Sequence, residues 1–97
     1  MKLLVLYRPK SEFATSVEEF VRELQKVHNI DARRMEVLDY DTQDGWSMAS
    51  IYDVMQQPAI ILVKDDGSYV KHWEGDALPL MDEVAGYMYG SDSVGLL

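Results

Sequence analysis

Two uninterrupted apolar runs, Leu3-Leu4-Val5-Leu6-Tyr7 and Ala59-Ile60-Ile61-Leu62-Val63, constrain this chain more than any other feature. Neither alternates with polar residues, so each needs cover on both faces. That is the pattern of central strands in a sheet sandwiched between helices. With 97 residues, 47% hydrophobic and 27% charged, the chain suits one compact domain with one core.

Arg8-Pro9 ends the first run. Beyond Lys10 the period changes. Phe13, Val17, Phe20, Val21, Leu24 and His28 recur at helical steps, while Glu18, Glu19, Arg22, Glu23 and Lys26 take the other face, which predicts an amphipathic helix. Ser11 is placed to cap it, and Ser16 with Glu19 forms a second capping-box pattern, so two starts are open. Asn29 closes the helix, and Arg34-Met35-Glu36-Val37-Leu38 reads as a second strand nearer the sheet edge.

Asp39 to Gly45 is a polar loop. Trp46, Met48, Ala49, Ile51, Tyr52 and Met55 then have the spacing of a short helix, broken by Gln56-Gln57-Pro58. After the second apolar run, Asp65-Asp66-Gly67-Ser68 turns the chain back into Tyr69-Val70-Lys71-His72-Trp73, a hairpin partner. Gly75-Asp76 leads into a last helix over Leu78 to Tyr89, with Pro79 in its first turn and Gly90 at its end. The domain is expected to span 1–90, with 91–97 a short tail whose Val94, Leu96 and Leu97 are free to dock.

Lys+Arg 9 against Asp+Glu 17 leaves a net charge of -8, which repels phosphate backbones and anionic lipid heads. Nucleic acid and membrane partners are therefore disfavoured. The opening apolar run stops at Arg8-Pro9-Lys10 without a small-residue cleavage site, unlike a signal peptide, and no stretch approaches membrane-spanning length. With no cysteine to suggest an oxidising compartment, a cytoplasmic protein is expected. No metal site is expected either. Asp39-Tyr40-Asp41-Thr42-Gln43-Asp44-Gly45 has the wrong spacing for an EF-hand, with Ser50 where a glutamate belongs, and His28 and His72 lack neighbouring ligands. Trp46, Trp73, Tyr69 and Tyr52 are expected in core or half-buried packing.

The order β-α-β-α-β-β-α resembles the thioredoxin-like superfamily over nearly the whole chain. Three segments carry the resemblance. Leu6-Tyr7-Arg8-Pro9-Lys10-Ser11-Glu12-Phe13-Ala14 is similar to the glutaredoxin strand-to-helix turn, with Ser11 and Ala14 at the positions of the two redox cysteines. Glu36 to Asp41, followed by Ile51-Tyr52-Asp53-Val54-Met55-Gln56-Gln57-Pro58-Ala59, is similar to the stretch leading into the family's cis-proline. Ile61 to Gly67 with Tyr69 to Gly75 looks like its hairpin and following glycine. The resemblance implies an α/β fold with a four-stranded mixed sheet, order 2-1-3-4, flanked by three helices. It also implies that thiol–disulfide exchange is impossible here, because neither Ser11 nor Ala14 can form a disulfide.

Most X–Pro bonds are trans, with cis in about 5–6% of cases in folded proteins, so Gln57-Pro58 is expected to be cis only through the resemblance. The N–H and C=O of Gln57 would then pair with an extended peptide, or with glutathione, as an added short strand. Ser11 is read first as a helix cap, since it lacks the apparatus of a serine nucleophile. By resemblance Phe13 is an exposed contact inside the former cysteine turn. The expected function is a redox-inactive domain that binds a peptide or partner protein as adaptor, regulator or holdase, through Tyr7, Arg8, Ser11, Phe13, Gln57, Pro58 and Asp76. The alternative is a glutathione-binding or glutathione-dependent transferase-like protein using Ser11 and Tyr7. Against it, no acidic pair opens the last helix, and Asp76 is the single candidate for the glutathione amino group. No other cofactor is implied, and the oligomeric state is left open.

Overall fold

The structure, a computed structural model, describes residues 1–75, 78, 79 and 81–96, with 89–96 described by backbone alone. The chain order is β1 (Lys2–Tyr7), α1 (Ala14–Lys26), a 3-10 turn (Ala32–Arg34), β2 (Met35–Asp39), α2 (Gln43–Ile51), β3 (Ala59–Val63), β4 (Tyr69–Glu74) and α3 (Met81–Leu96). The four strands form one sheet in the order β2-β1-β3-β4. β1 runs parallel to β2 and antiparallel to β3, and β3 pairs antiparallel with β4. The two apolar runs are therefore the two central strands. The single parallel pair is joined by α1, because a parallel connection needs a crossover long enough for a helix.

Alternation across β1 and β3 splits the core into two layers. Leu3, Val5 and Tyr7, with Ile60 and Leu62, face Val17, Phe20 and Leu24 of α1 and Val84 and Met88 of α3. Leu4 and Leu6, with Ala59, Ile61 and Val63, face Ala49 of α2 and Val54. Every residue of β3 is buried. Ile60, Ile61, Leu62 and Val63 each contribute about 1.5–3 kcal/mol of apolar burial, which is why a strand without polar positions is stable only at the centre. The edge position expected of β2 holds, with Glu36 and Val37 exposed. Arg34 fastens α3 to the start of the chain by donating to the Met1 carbonyl (3.1 Å) and the Met88 carbonyl (3.0 Å).

Four local expectations are corrected. Ser11 does not cap α1. The helix begins at Ala14 behind Phe13 with no side-chain cap, and Ser16 lies inside its first turn. The hydroxyl of Ser11 instead donates to the Arg8 carbonyl (2.7 Å), which also accepts the Ser11 N–H (3.0 Å) and so closes a β-turn with Pro9 at its favoured second position. At the other end, α1 stops at Lys26, and Asn29 takes the left-handed conformation (φ 55°) beyond it. α3 starts at Met81 rather than Leu78, leaving Pro79 ahead of it, and its backbone continues through Gly90 to Leu96. A glycine inside a helix costs about 1 kcal/mol, too little alone to stop one that no proline follows. Finally, Trp46 and Tyr69 are not packed in the core. They are 65% and 51% exposed: α2, which carries Trp46, turns only Gly45 and Ala49 fully inward, and Tyr69 opens the edge strand β4.

Candidate functional site

Residues from four segments meet beyond the carboxyl ends of the parallel strands β1 and β2, the edge at which open α/β sheets bind ligands. The first segment is the β1–α1 turn. Two hydrogen bonds to the Arg8 carbonyl shape its first half, and the Ala14 N–H donating to the Ser11 carbonyl (3.2 Å) shapes its second. Pro9, Lys10 and Glu12 are exposed on it, and Phe13 is half-buried.

Arg8 joins this turn to the other segments. Its backbone N–H donates to Oε1 of Gln57 (3.2 Å), its Nε donates to Oδ1 of Asp41 (3.0 Å), and its guanidinium lies 5.3 Å from the ring centre of Tyr40. Tyr40 is held in turn by its N–H donating to the Tyr7 carbonyl (2.8 Å), which carries the β1–β2 pairing past the strand ends. A cavity of about 380 Å³ opens here, lined by Arg8, Pro9, Lys10, Ser11, Asp39 and Asp41.

The third segment is the loop into β3. The Gln57–Pro58 peptide bond is cis. Pro58 is buried, its carbonyl accepts the Gly75 N–H (3.0 Å), and Gln57 is half-buried. Neither backbone group of Gln57 is hydrogen-bonded within the chain among the described residues. Gly75, the fourth segment, sits at the end of β4 with φ 94°, and a Cβ there would lie 2.9 Å from Oε1 of Gln56. Only glycine meets both conditions without strain.

Arg8, Ser11, Gln57 and Pro58 are thus brought to one end of the sheet, with Phe13 on the same turn. Tyr7 points elsewhere: its ring is in the core layer beneath α1, and its hydroxyl donates to Oε2 of Glu18 (2.7 Å). That hydrogen bond, then burial and the nearby Glu18 and Asp39 charges, raise its pKa above the usual tyrosine value. Asp76 lies outside the described residues. The later start of α3 places Asp82 and Glu83 in its first turn, so an acidic pair does open the last helix. Asp82 approaches His28 (3.7 Å) and Glu83 approaches Lys71 (3.5 Å).

Sequence reasoning missed Asp41 and Tyr40, which it placed in a solvated loop. Their part depends on Arg8, far away in the chain, and no local pattern marks it. Among the described residues, no group of three histidine, cysteine or carboxylate side chains could hold a metal ion, and no helix is long and apolar enough to cross a membrane.

No protein-family profile matches the chain, and no curated protein matches it. Solved structures do. Thioredoxin 1 from Thermosipho africanus is similar over 100% of both chains at 16% identity, with a TM-score of 0.69. Mitochondrial thioredoxin 3 from Saccharomyces cerevisiae is similar over 91% of this chain and 76% of its own, at 15% identity and a TM-score of 0.65. The oxidised thioredoxin from Plasmodium falciparum covers 90% of this chain and 81% of its own, at 14% identity and 0.61. At such identities the likeness establishes the architecture. The chain has the thioredoxin fold and carries none of the cysteines on which redox chemistry in that fold depends.

Proposed function

We propose that this cysteine-free thioredoxin-fold domain binds an extended segment of a partner protein, across the Arg8–Phe13 turn and the Gln57–Pro58 loop, without thiol chemistry. The observation that carries the reading is the Arg8 N–H to Gln57 Oε1 hydrogen bond, which holds two loops side by side while the backbone groups of Gln57 stay unpaired. An extended segment pairing with Gln57 would satisfy those groups, as in strand addition, and half-buried Phe13 would supply an apolar anchor. Glutathione is the competing ligand, but the hydroxyls it would need are engaged. Ser11 donates to Arg8, and Tyr7 donates to Glu18.

The test is to select unstructured peptides against the folded protein by display and to map the tightest one by backbone amide shifts. Shifts concentrated at Arg8, Lys10 to Phe13, Gln57 and Gly75, with binding weakened about tenfold by Phe13→Ala, are the expected result. Shifts elsewhere on the surface would remove the proposal. Glutathione alone, moving Ser11, Gln57 and Asp76 together at millimolar concentration, would replace it with the glutathione-binding reading.

A further inference from the structure

At the hairpin end of the sheet, away from Pro58, the face covered by α2 carries a second cavity of about 330 Å³, lined by Ile51, Tyr52, Asp53, Tyr69 and His72. We infer that this cleft is a docking site for an arginine side chain presented by a basic segment of a partner protein. The site is separate from the one proposed above and does not depend on it.

Two aromatic walls are built in advance. The rings of Tyr52 and Tyr69 stack at 6.4 Å with an interplanar angle of 29°. Each is pinned by its hydroxyl: Tyr52 donates to the Gly67 carbonyl (2.6 Å), and Tyr69 is hydrogen-bonded to Nδ1 of His72 (2.8 Å). Rings fixed in this way lose little freedom when a ligand arrives. Elsewhere in the molecule, aromatic faces are met by the chain's own cations, with Arg8 over Tyr40 and Lys71 over Trp73 and Tyr87. Among the described residues no such cation meets Tyr52 or Tyr69.

Asp53 supplies the charge, and it does so against its local surroundings. It follows α2 in the left-handed conformation, φ 56°. The Val54 N–H donates to the Ala49 carbonyl (2.8 Å) and the Asp53 N–H to the Ser50 carbonyl (3.3 Å), a helix-ending motif that favours glycine at this place. A carboxylate is also unfavourable beside a helix C-terminus, where the backbone dipole is already negative. Asp53 is exposed and forms no ion pair among the described residues. Asp is one of the few non-glycine residues found readily in that conformation, so what is left unmet is the field, and a cation would answer it.

The chemistry selects guanidinium over other cations. It is planar, weakly hydrated and stacks on aromatic rings while its edge donates to a carboxylate. Ile51, 70% exposed on the rim, would cover the methylene stem. A net charge of -8 steers a basic segment toward the surface.

The probe is the peptide acetyl-Gly-Ser-Arg-Ser-Gly-amide, followed by the ring and amide resonances of Tyr52, Asp53 and Tyr69. Saturable shifts at these residues are expected, weakened about fivefold when norleucine replaces the arginine and by a similar factor in Asp53→Asn. Asp53→Gly should lose binding equally while raising the urea midpoint, since glycine suits that backbone position, so the loss cannot be blamed on unfolding. Equal binding of the norleucine peptide, or undiminished binding by both Asp53 variants, overturns the inference. Free arginine binding more tightly than the peptide would make the cleft a small-molecule site and overturns the assignment to a protein segment.

Discussion

Tyr7 is a residue with two environments. Its ring belongs to the layer under α1, while its hydroxyl donates to a carboxylate that is itself exposed. Because its folded pKa is raised, the unfolded chain loses this proton first as pH increases. The stabilisation is complete below about pH 10, the ordinary tyrosine value, and is lost as pH rises through the folded value. Urea unfolding between pH 9 and 11 should therefore show stability falling, with a smaller decline in Tyr7→Phe, which should also lose about 1 kcal/mol at neutral pH. Gly45 is constrained by space instead of charge. A Cβ at this position would collide with the Asp39 carbonyl group and stand 2.8 Å from its carbon, and backbone atoms cannot rotate aside. Gly45→Ala should cost about 3 kcal/mol or more, read as a lower thermal midpoint, and should separate Asp41 from Arg8 by opening the β2–α2 junction. The exposed Lys10 and Glu12 belong to neither category, and their substitution is expected to leave stability within about 0.5 kcal/mol.

α2 is the element most dependent on its ends. A nine-residue helix is marginal in isolation, so capping and tertiary contacts decide whether it forms. Thr42 accepts the Gly45 N–H (3.1 Å) and donates to the Asp39 carbonyl (2.7 Å), tying the helix start to the strand before it. Thr42→Ala should cost about 1 kcal/mol, and Thr42→Ser should recover most of it, measured as the shift in urea midpoint at constant slope. Elements of this kind show where sequence reading succeeds. β1, β3, α1 and the β3–β4 hairpin were legible because burial on both faces, a helical period and a turn of Asp and Gly each leave a local pattern in the chain. The ends of α1 and α3 were not. Ser11 and Ser16 both satisfied a capping rule, and what settled the start was the Arg8 carbonyl taking the Ser11 hydroxyl and N–H into a turn. Gly90 satisfied a stop signal that the backbone of α3 overrides.

The molecule as a whole carries a net charge of -8, with Asp and Glu nearly twice as numerous as Lys and Arg. Self-repulsion among these carboxylates opposes compaction and is screened over about 10 Å at 0.1 M salt. Stability in urea should therefore rise as sodium chloride is increased from low to physiological levels, and a flat or falling response would show that the ion pairs outweigh the repulsion. What the sequence determined by itself was the sheet's two central strands, the order of elements and the exclusion of disulfide exchange, since these follow from burial periodicity and from residue types alone. The tertiary structure decided which loops became neighbours. Arg8 with Gln57 and Asp41, and Tyr52 with Tyr69, are pairs remote in the chain that meet only because β1 registers parallel to β2 and antiparallel to β3, and β3 antiparallel to β4. No local pattern encodes such a meeting, because it depends on where several strands end together. The Ser11–Ala14 turn is therefore readable from sequence as a place without thiols, whereas its hydrogen-bonded contact with the Gln57 loop exists only in the folded sheet.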